Sequence, residues 1–164
     1  MIILGVDPGL NVTGYGVIEA GGSKGSSLKR VKLKEAGVIR TKARDGISYR
    51  LEKIHESLLN IVKEYKPEVL VLEKLYSHYK HPVTSILMGH ARGAVCLVAG
   101  ASKVKLASFP STRIKKAVTG NGHASKQQIQ RMIQVLFGLK EKPQPMDVSD
   151  ALACALCYVN AELR

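Results

Sequence analysis

The chain has 164 residues with 25 Lys and Arg against 13 Asp and Glu, a formal net charge of +12, and such an excess points to a polyanionic partner, nucleic acid above all. Three cysteines speak against a disulfide framework, no apolar run of the ~18–20 residues a membrane helix needs is read from the sequence, and a signal peptide's basic lead-in and cleavage site are missing. The expectation is one domain, 1–164, in a reducing cytoplasm and away from membranes, with 45 % apolar residues to form its core.

The first element predicted is a buried strand. Ile2, Ile3, Leu4 and Val6 form an apolar run that ends in Asp7. Pro8 lacks the N–H that would continue a ladder, and Gly9 allows a sharp turn. Asp7 is thereby expected at a strand's carboxyl end, where ligands collect in α/β sheets. Asp before Pro-Gly also serves simply to start a turn. Residues 13–20 and 28–41 read as two further strands in an antiparallel meander, joined by the Gly- and Ser-rich turn 21–27. The lysines of the third strand, Lys32 and Lys34 with Lys29 and Arg30, suit an edge that resists aggregation.

Residues 45–65 show helical spacing through Ile47, Leu51, Ile54, Leu58 and Val62, and Pro67 is expected to close the helix. Val69 to Leu72 form a second continuous apolar run that again ends in an acid, Glu73. The intervening helix favours parallel pairing of the two strands, which would set Asp7 and Glu73 side by side. A basic, aromatic loop follows at 74–82, then an amphipathic helix from about 83 to 99. Gly89 and Gly93 in that helix permit close contact, within the domain or in a dimer. A short strand at 104–109 leads to a helix carrying Ile114, Lys115 and Val118. Ser125 and Gln128 fit a capping box that opens a further helix, beginning at Lys126. After the linker 139–146, the last helix is predicted from Asp147 through Val159.

Asp147 and Asp150 lie three apart and share a face of that last helix. Acids in a first helical turn are favoured as caps and by the helix dipole, so alone they would indicate capping. Their helix is rich in small residues, however, and can lie close to a sheet where two strand-end acids stand. Four oxygen donors without clustered His or Cys suit a hard cation, Mg²⁺ or Mn²⁺. Such ions relieve the repulsion among carboxylates, and a pair of them stabilises both the attacking and leaving oxygens in phosphoryl transfer. With a basic exterior, this pattern indicates metal-dependent hydrolysis of a phosphodiester. Cys154 and Cys157 have C-x-x-C spacing but sit within a helix without a second ligand pair, which reads as packing.

The order strand-Asp, hairpin, helix, strand-Glu, helix, strand and D-x-x-D helix is similar to the ribonuclease H-like fold. Within it, Gly5 to Gly9 with Thr13 to Gly16, Glu73 followed by an aromatic at Tyr76, the stretch Gly89 to Gly93, and Asp147 to Ala153 resemble the RuvC family of Holliday junction resolvases. The resemblance spans essentially the whole chain. It implies an α/β fold with a central mixed five-stranded sheet, the first three strands antiparallel and the rest parallel, flanked by helices. It implies that Asp7, Glu73, Asp147 and Asp150 hold the divalent ions, that Tyr76 stacks on a base at the crossover, and that Lys115 and Lys126 are the basic residues beside the active site. A homodimer, a four-way DNA junction as substrate, and a branch-migration motor complex of the RuvA and RuvB type as partner follow from the same resemblance. The chain departs from the family's pattern in a longer basic segment at 21–34, in Lys74 after Glu73, and in Tyr for the usual Phe at 76. The alternatives are a resolvase-like nuclease of structured RNA, an actin-like ATP-binding lobe, and a module that binds branched DNA without cutting. A continuous Pro8 to Gly16 motif, a single lobe and a full set of acids weigh against these in turn.

Overall fold

The computed structural model describes residues 1–21, 30–75 and 82–162. Five strands, β1 (Ile2–Asp7), β2 (Val12–Gly21), β3 (Arg30–Arg40), β4 (Val69–Glu73) and β5 (Lys105–Phe109), form one sheet in the order β3-β2-β1-β4-β5. β1, β2 and β3 pair antiparallel, and β4 and β5 join β1 in parallel. Five helices complete the described chain: α1 (Ile47–Tyr65), α2 (Pro82–Ala101), α3 (Ser111–Thr119), α4 (Lys126–Leu136) and α5 (Met146–Glu162). The architecture agrees with the mixed, helix-flanked sheet expected from the sequence, and β3 is the edge strand its lysines suggest.

Side-chain alternation divides the interior into two cores. Ile3, Val69 and Val71 point to the face covered by α3, α4 and α5. Leu4, Val6, Leu70 and Leu72 point to the face covered by α1 and α2. Successive strand residues face opposite ways, so Asp7 and Glu73 share the α5 side with Ile3 and Val71. Val6 pairs with Leu72, which leaves the two acids at the ends of neighbouring strands.

α1 ends at Tyr65, as expected ahead of Pro67; Lys66 between them takes a left-handed conformation with φ 49°, and its backbone N–H caps the Val62 carbonyl. Other local expectations are corrected. α5 begins at Met146, so Asp147 lies inside the first turn instead of at its start. Gly89 and Gly93 make no close packing within the chain, since a Cβ on either would meet open space. Residues 83–101 are also long and apolar enough, with mean hydropathy 1.3, to span a membrane by composition, so a run of that length does occur. Its inner side, Ala91, Val95, Val98 and Ala99, is buried with α1 in the second core.

Candidate active site

The site is built where the sheet's carboxyl edge meets the start of α5. α5 lies unusually close because three facing strand positions carry no side chain. A Cβ on Gly5 would overlap the Ala151 carbonyl, one on Gly16 the Leu152 side chain, and one on Gly14 the Asp147 carbonyl. Gly5 pairs with Gly16, and Gly14 pairs with Asp7, so the glycines form a trough that ends beside Asp7. The helix supplies Ala151, Ala153 and Ala155, all fully buried, which complete the close approach.

The turn after Asp7 is tied down twice. The Thr13 hydroxyl donates to the Gly9 carbonyl at 2.7 Å. Arg50 on α1, almost wholly buried, donates to Asn11 Oδ1 at 2.7 Å and to Thr41 Oγ1 at 3.0 Å, and the Thr41 hydroxyl donates to the Leu10 carbonyl. A rigid turn keeps the strand-end acid from swinging away from its neighbours.

A cleft of about 460 Å³ opens here, and Asp7, Glu73, Lys115, Lys126 and Asp150 are among the residues lining it. The predicted acids and lysines from β1, β4, α3, α4 and α5 therefore converge. Asp147 is not on the cleft wall, yet its charge still acts on Asp7 and on Lys126. Asp7 is pushed up to about 7, chiefly by burial, then by the charges of Asp150 and Asp147, with Lys126 opposing and Glu73 adding. Burial also raises Glu73, against a hydrogen bond from Ser111. Lys126 opens α4 behind the capping box of Ser125 and Gln128, and its ammonium lies 3.1 Å from Asp150 Oδ2. That ion pair holds the Lys126 ammonium above its ordinary value.

Among the described residues, no three acidic, His or Cys side chains stand as a ready-made ion cage. Asp150 is turned to Lys126 and Glu73 to Ser111. The donor set nevertheless fits a hard divalent cation: all its atoms are oxygens, and beyond burial the charges of Asp150, Asp147 and Glu73 raise the proton affinity of Asp7, a repulsion that a cation relieves. Tyr76 lies outside the described residues.

Two residues in the site escaped the sequence reading. Arg92 lines the cleft, and its Nη1 donates to the Glu73 carbonyl at 2.5 Å. Ser111, the first residue of α3, bonds the Glu73 carboxylate. The one available signal was a lone Arg within an otherwise apolar helix stripe. Cys154 and Cys157 are buried; burial foremost, helped by the nearby Asp7 and Glu73 charges, pushes the Cys154 thiol well up, as befits inert packing.

Comparison with known proteins agrees with this geometry. The family model described as crossover junction endodeoxyribonuclease RuvC matches residues 3–158. The chain is 45% identical to the protein of that name from Rhodopirellula baltica, over 94% of this chain and 84% of the relative. It is 42% identical to the one from Desulforamulus reducens, over 96% and 93%. Among solved structures, Thermus thermophilus RuvC superposes with TM-score 0.85 at 29% identity, covering 98% of this chain and 94% of that one. The same protein in complex with a Holliday junction substrate gives TM-score 0.84 at 26% identity, with the same coverage. With a family match over nearly all its length and these acids gathered at the sheet's edge, the chain belongs to the RuvC family of crossover junction endodeoxyribonucleases.

Proposed function

We propose that residues 1–164 act as one nuclease domain that resolves four-way DNA junctions by paired, symmetric nicks, with Asp7, Glu73, Asp147 and Asp150 as ligands for two Mg²⁺ ions, or Mn²⁺ in their place. The observation that carries this reading is the state of Asp7. A strand-end carboxyl whose proton affinity is raised first by burial and then by the charges of Asp150, Asp147 and Glu73, all distant in sequence and brought to one sheet edge, suits a cation. A named relative, T. thermophilus RuvC, has been solved with a Holliday junction substrate.

Divalent ions, when bound, supply Lewis-acid stabilisation of the attacking and leaving oxygens of the phosphodiester. The chain's residues do the rest. Asp7, Glu73, Asp147 and Asp150 would hold the ions, with Asp7 in its ionised form as an oxygen ligand. Lys126, freed from Asp150, turns its ammonium to a non-bridging phosphate oxygen, and Lys115 faces the same cleft from α3. The chain's net charge of +12 draws the DNA backbone to an otherwise acidic site. Tyr76 stacks on a base left unpaired at the crossover.

The substrate's near two-fold symmetry calls for two sites, and α2 offers the surface for a homodimer. Val83, Ile86 and Leu97 on it are 68%, 60% and 61% exposed, and Gly89, Gly93 and Gly100 leave its outer face bare. A self-complementary apolar face of this kind suits a two-fold contact. A branch-migration motor complex of the RuvA and RuvB type is the partner that would present the junction, in a cytoplasmic setting. Incubation with a synthetic four-way junction and Mg²⁺ tests the reading: wild type is expected to give paired nicks in strands of like polarity, and Asp7→Asn to bind without cutting. Wild-type cleavage by Asp7→Asn refutes the metal assignment.

A further inference from the structure

We propose that Arg92 is a positioning residue for Glu73: its guanidinium clamps the carboxyl end of β4 to β5 and so fixes where the Glu73 carboxylate stands relative to Asp7. The inference rests on Glu73 being a metal ligand as proposed above.

At the end of a parallel strand the last carbonyls lose their ladder partners. The final rung between these strands runs from the Lys74 N–H to the Phe109 carbonyl, at 2.8 Å. The Glu73 carbonyl is taken instead by Arg92 Nη1, at 2.5 Å. Arg92 Nη2 donates at the same time to Ser108 Oγ on β5, at 3.1 Å. Ser108 pairs in register with Leu72, the residue before Glu73, so one planar fork spans both strands at the step where the acid leaves the sheet.

Arginine is suited to this role and lysine is not, because only a guanidinium presents donors in a fixed fork to two acceptors at once. Its base is rigid: neighbouring Ala91 and Val95 on α2 are fully buried. Both of its acceptors are neutral, a main-chain carbonyl and a hydroxyl. The Glu73 carboxylate is not one of them, so Arg92 orders the ligand without competing with an ion for it. Lys126 differs in this respect, since it pairs directly with the Asp150 carboxylate.

The test is titration of Mn²⁺ alone into wild type, Arg92→Ala, Arg92→Lys, Ser108→Ala and Glu73→Ala, followed by water-proton relaxation. Junction affinity in EDTA and steady-state cleavage are measured alongside. Loss of a residue that orients a ligand typically weakens metal binding about 10–100-fold. Arg92→Ala is expected in that range, with kcat reduced, KM little changed and junction affinity in EDTA retained. Ser108→Ala is expected to shift Mn²⁺ affinity the same way but less, and Arg92→Lys to recover part of the loss. Wild-type Mn²⁺ affinity in Arg92→Ala overturns the proposal. So does weakened junction binding with unchanged Mn²⁺ affinity, which would make Arg92 a phosphate contact. If Arg92→Ala does not fold, unchanged Mn²⁺ affinity in both Ser108→Ala and Arg92→Lys overturns it equally. A Glu73→Ala variant that binds Mn²⁺ like wild type removes the metal reading and this inference together; a deficient Glu73→Ala beside an unaffected Arg92→Ala removes this inference alone.

Discussion

The main chain of Asp147 occupies the space that a side chain on Gly14 would fill. Gly14 is also the cross-strand partner of Asp7, so one absent methyl group sets how closely the acidic turn of α5 approaches the acid of β1. Gly14→Ala is therefore expected to push Asp147 and Asp150 outward, at a cost of about 1–3 kcal/mol in stability and with loss of most Mg²⁺-dependent cleavage. Gly21→Ala, where a Cβ meets open space, is the control and is expected to cut normally. Urea denaturation and junction cleavage of both variants check this.

Asp7 makes the metal-free protein less stable at alkaline pH. Its carboxyl stands at about 7 in the fold against 3.8 as its ordinary value, so the native state holds a proton that the unfolded chain releases. Stability from this group is then greatest below about pH 4 and falls as pH rises through about 7. Asp7→Asn removes the buried charge, and one pKa unit corresponds to about 1.4 kcal/mol, so in EDTA at pH 8 the variant is expected to be more stable by ~2–4 kcal/mol. The difference should vanish near pH 4. Urea denaturation at the two pH values measures it.

The same raised acid links metal to protons. Below about pH 7 a cation at Asp7 has to displace a proton, so Mn²⁺ affinity should rise up to about tenfold per pH unit toward 7 and flatten above it. Calorimetric titration in buffers of different ionisation enthalpy should show close to one proton released at pH 6 and far fewer at pH 8.5. No release at pH 6 would contradict the assignment of Asp7.

Lys126 is expected to matter for rate and hardly at all for folding. Its ion pair with Asp150 is open to water on the lysine side, with that side chain 65% exposed against 19% for the aspartate, and a pair with one solvated partner contributes about 1 kcal/mol or less. Lys126→Met should leave the urea midpoint nearly unchanged while slowing cleavage about 10²-fold or more, the scale seen when one charge-stabilising donor is removed. Single-turnover cleavage beside denaturation separates the two effects.

Asp7 and Glu73 could be read from the chain because each ends a continuous apolar strand, and the period of two carries both acids to one face. Asp147 and Asp150 could not be separated from ordinary helix-capping acids by spacing alone. Gly5, Gly14 and Gly16 are what let their helix lie against the sheet, and that depends on which helix covers them, a fact of tertiary packing. Arg92 was hidden for the same reason: it meets a main-chain carbonyl and a serine, 19 and 16 residues away in sequence, and neither leaves a pattern. Gly89 and Gly93 signalled a close contact without saying which side would receive it; in the fold they face outward. His90 and Arg92 interrupt the apolar run of α2, which is why its full apolar length does not show as an unbroken stretch in the sequence.

Anomalous diffraction from crystals soaked in Mn²⁺ tests the central claim most directly. The four-acid reading predicts density in the cleft at about 2.0–2.4 Å from carboxylate oxygens of Asp7 and Glu73, with α5 acids completing the shell. Manganese density confined to other parts of the surface, with the cleft acids bearing none, would contradict it.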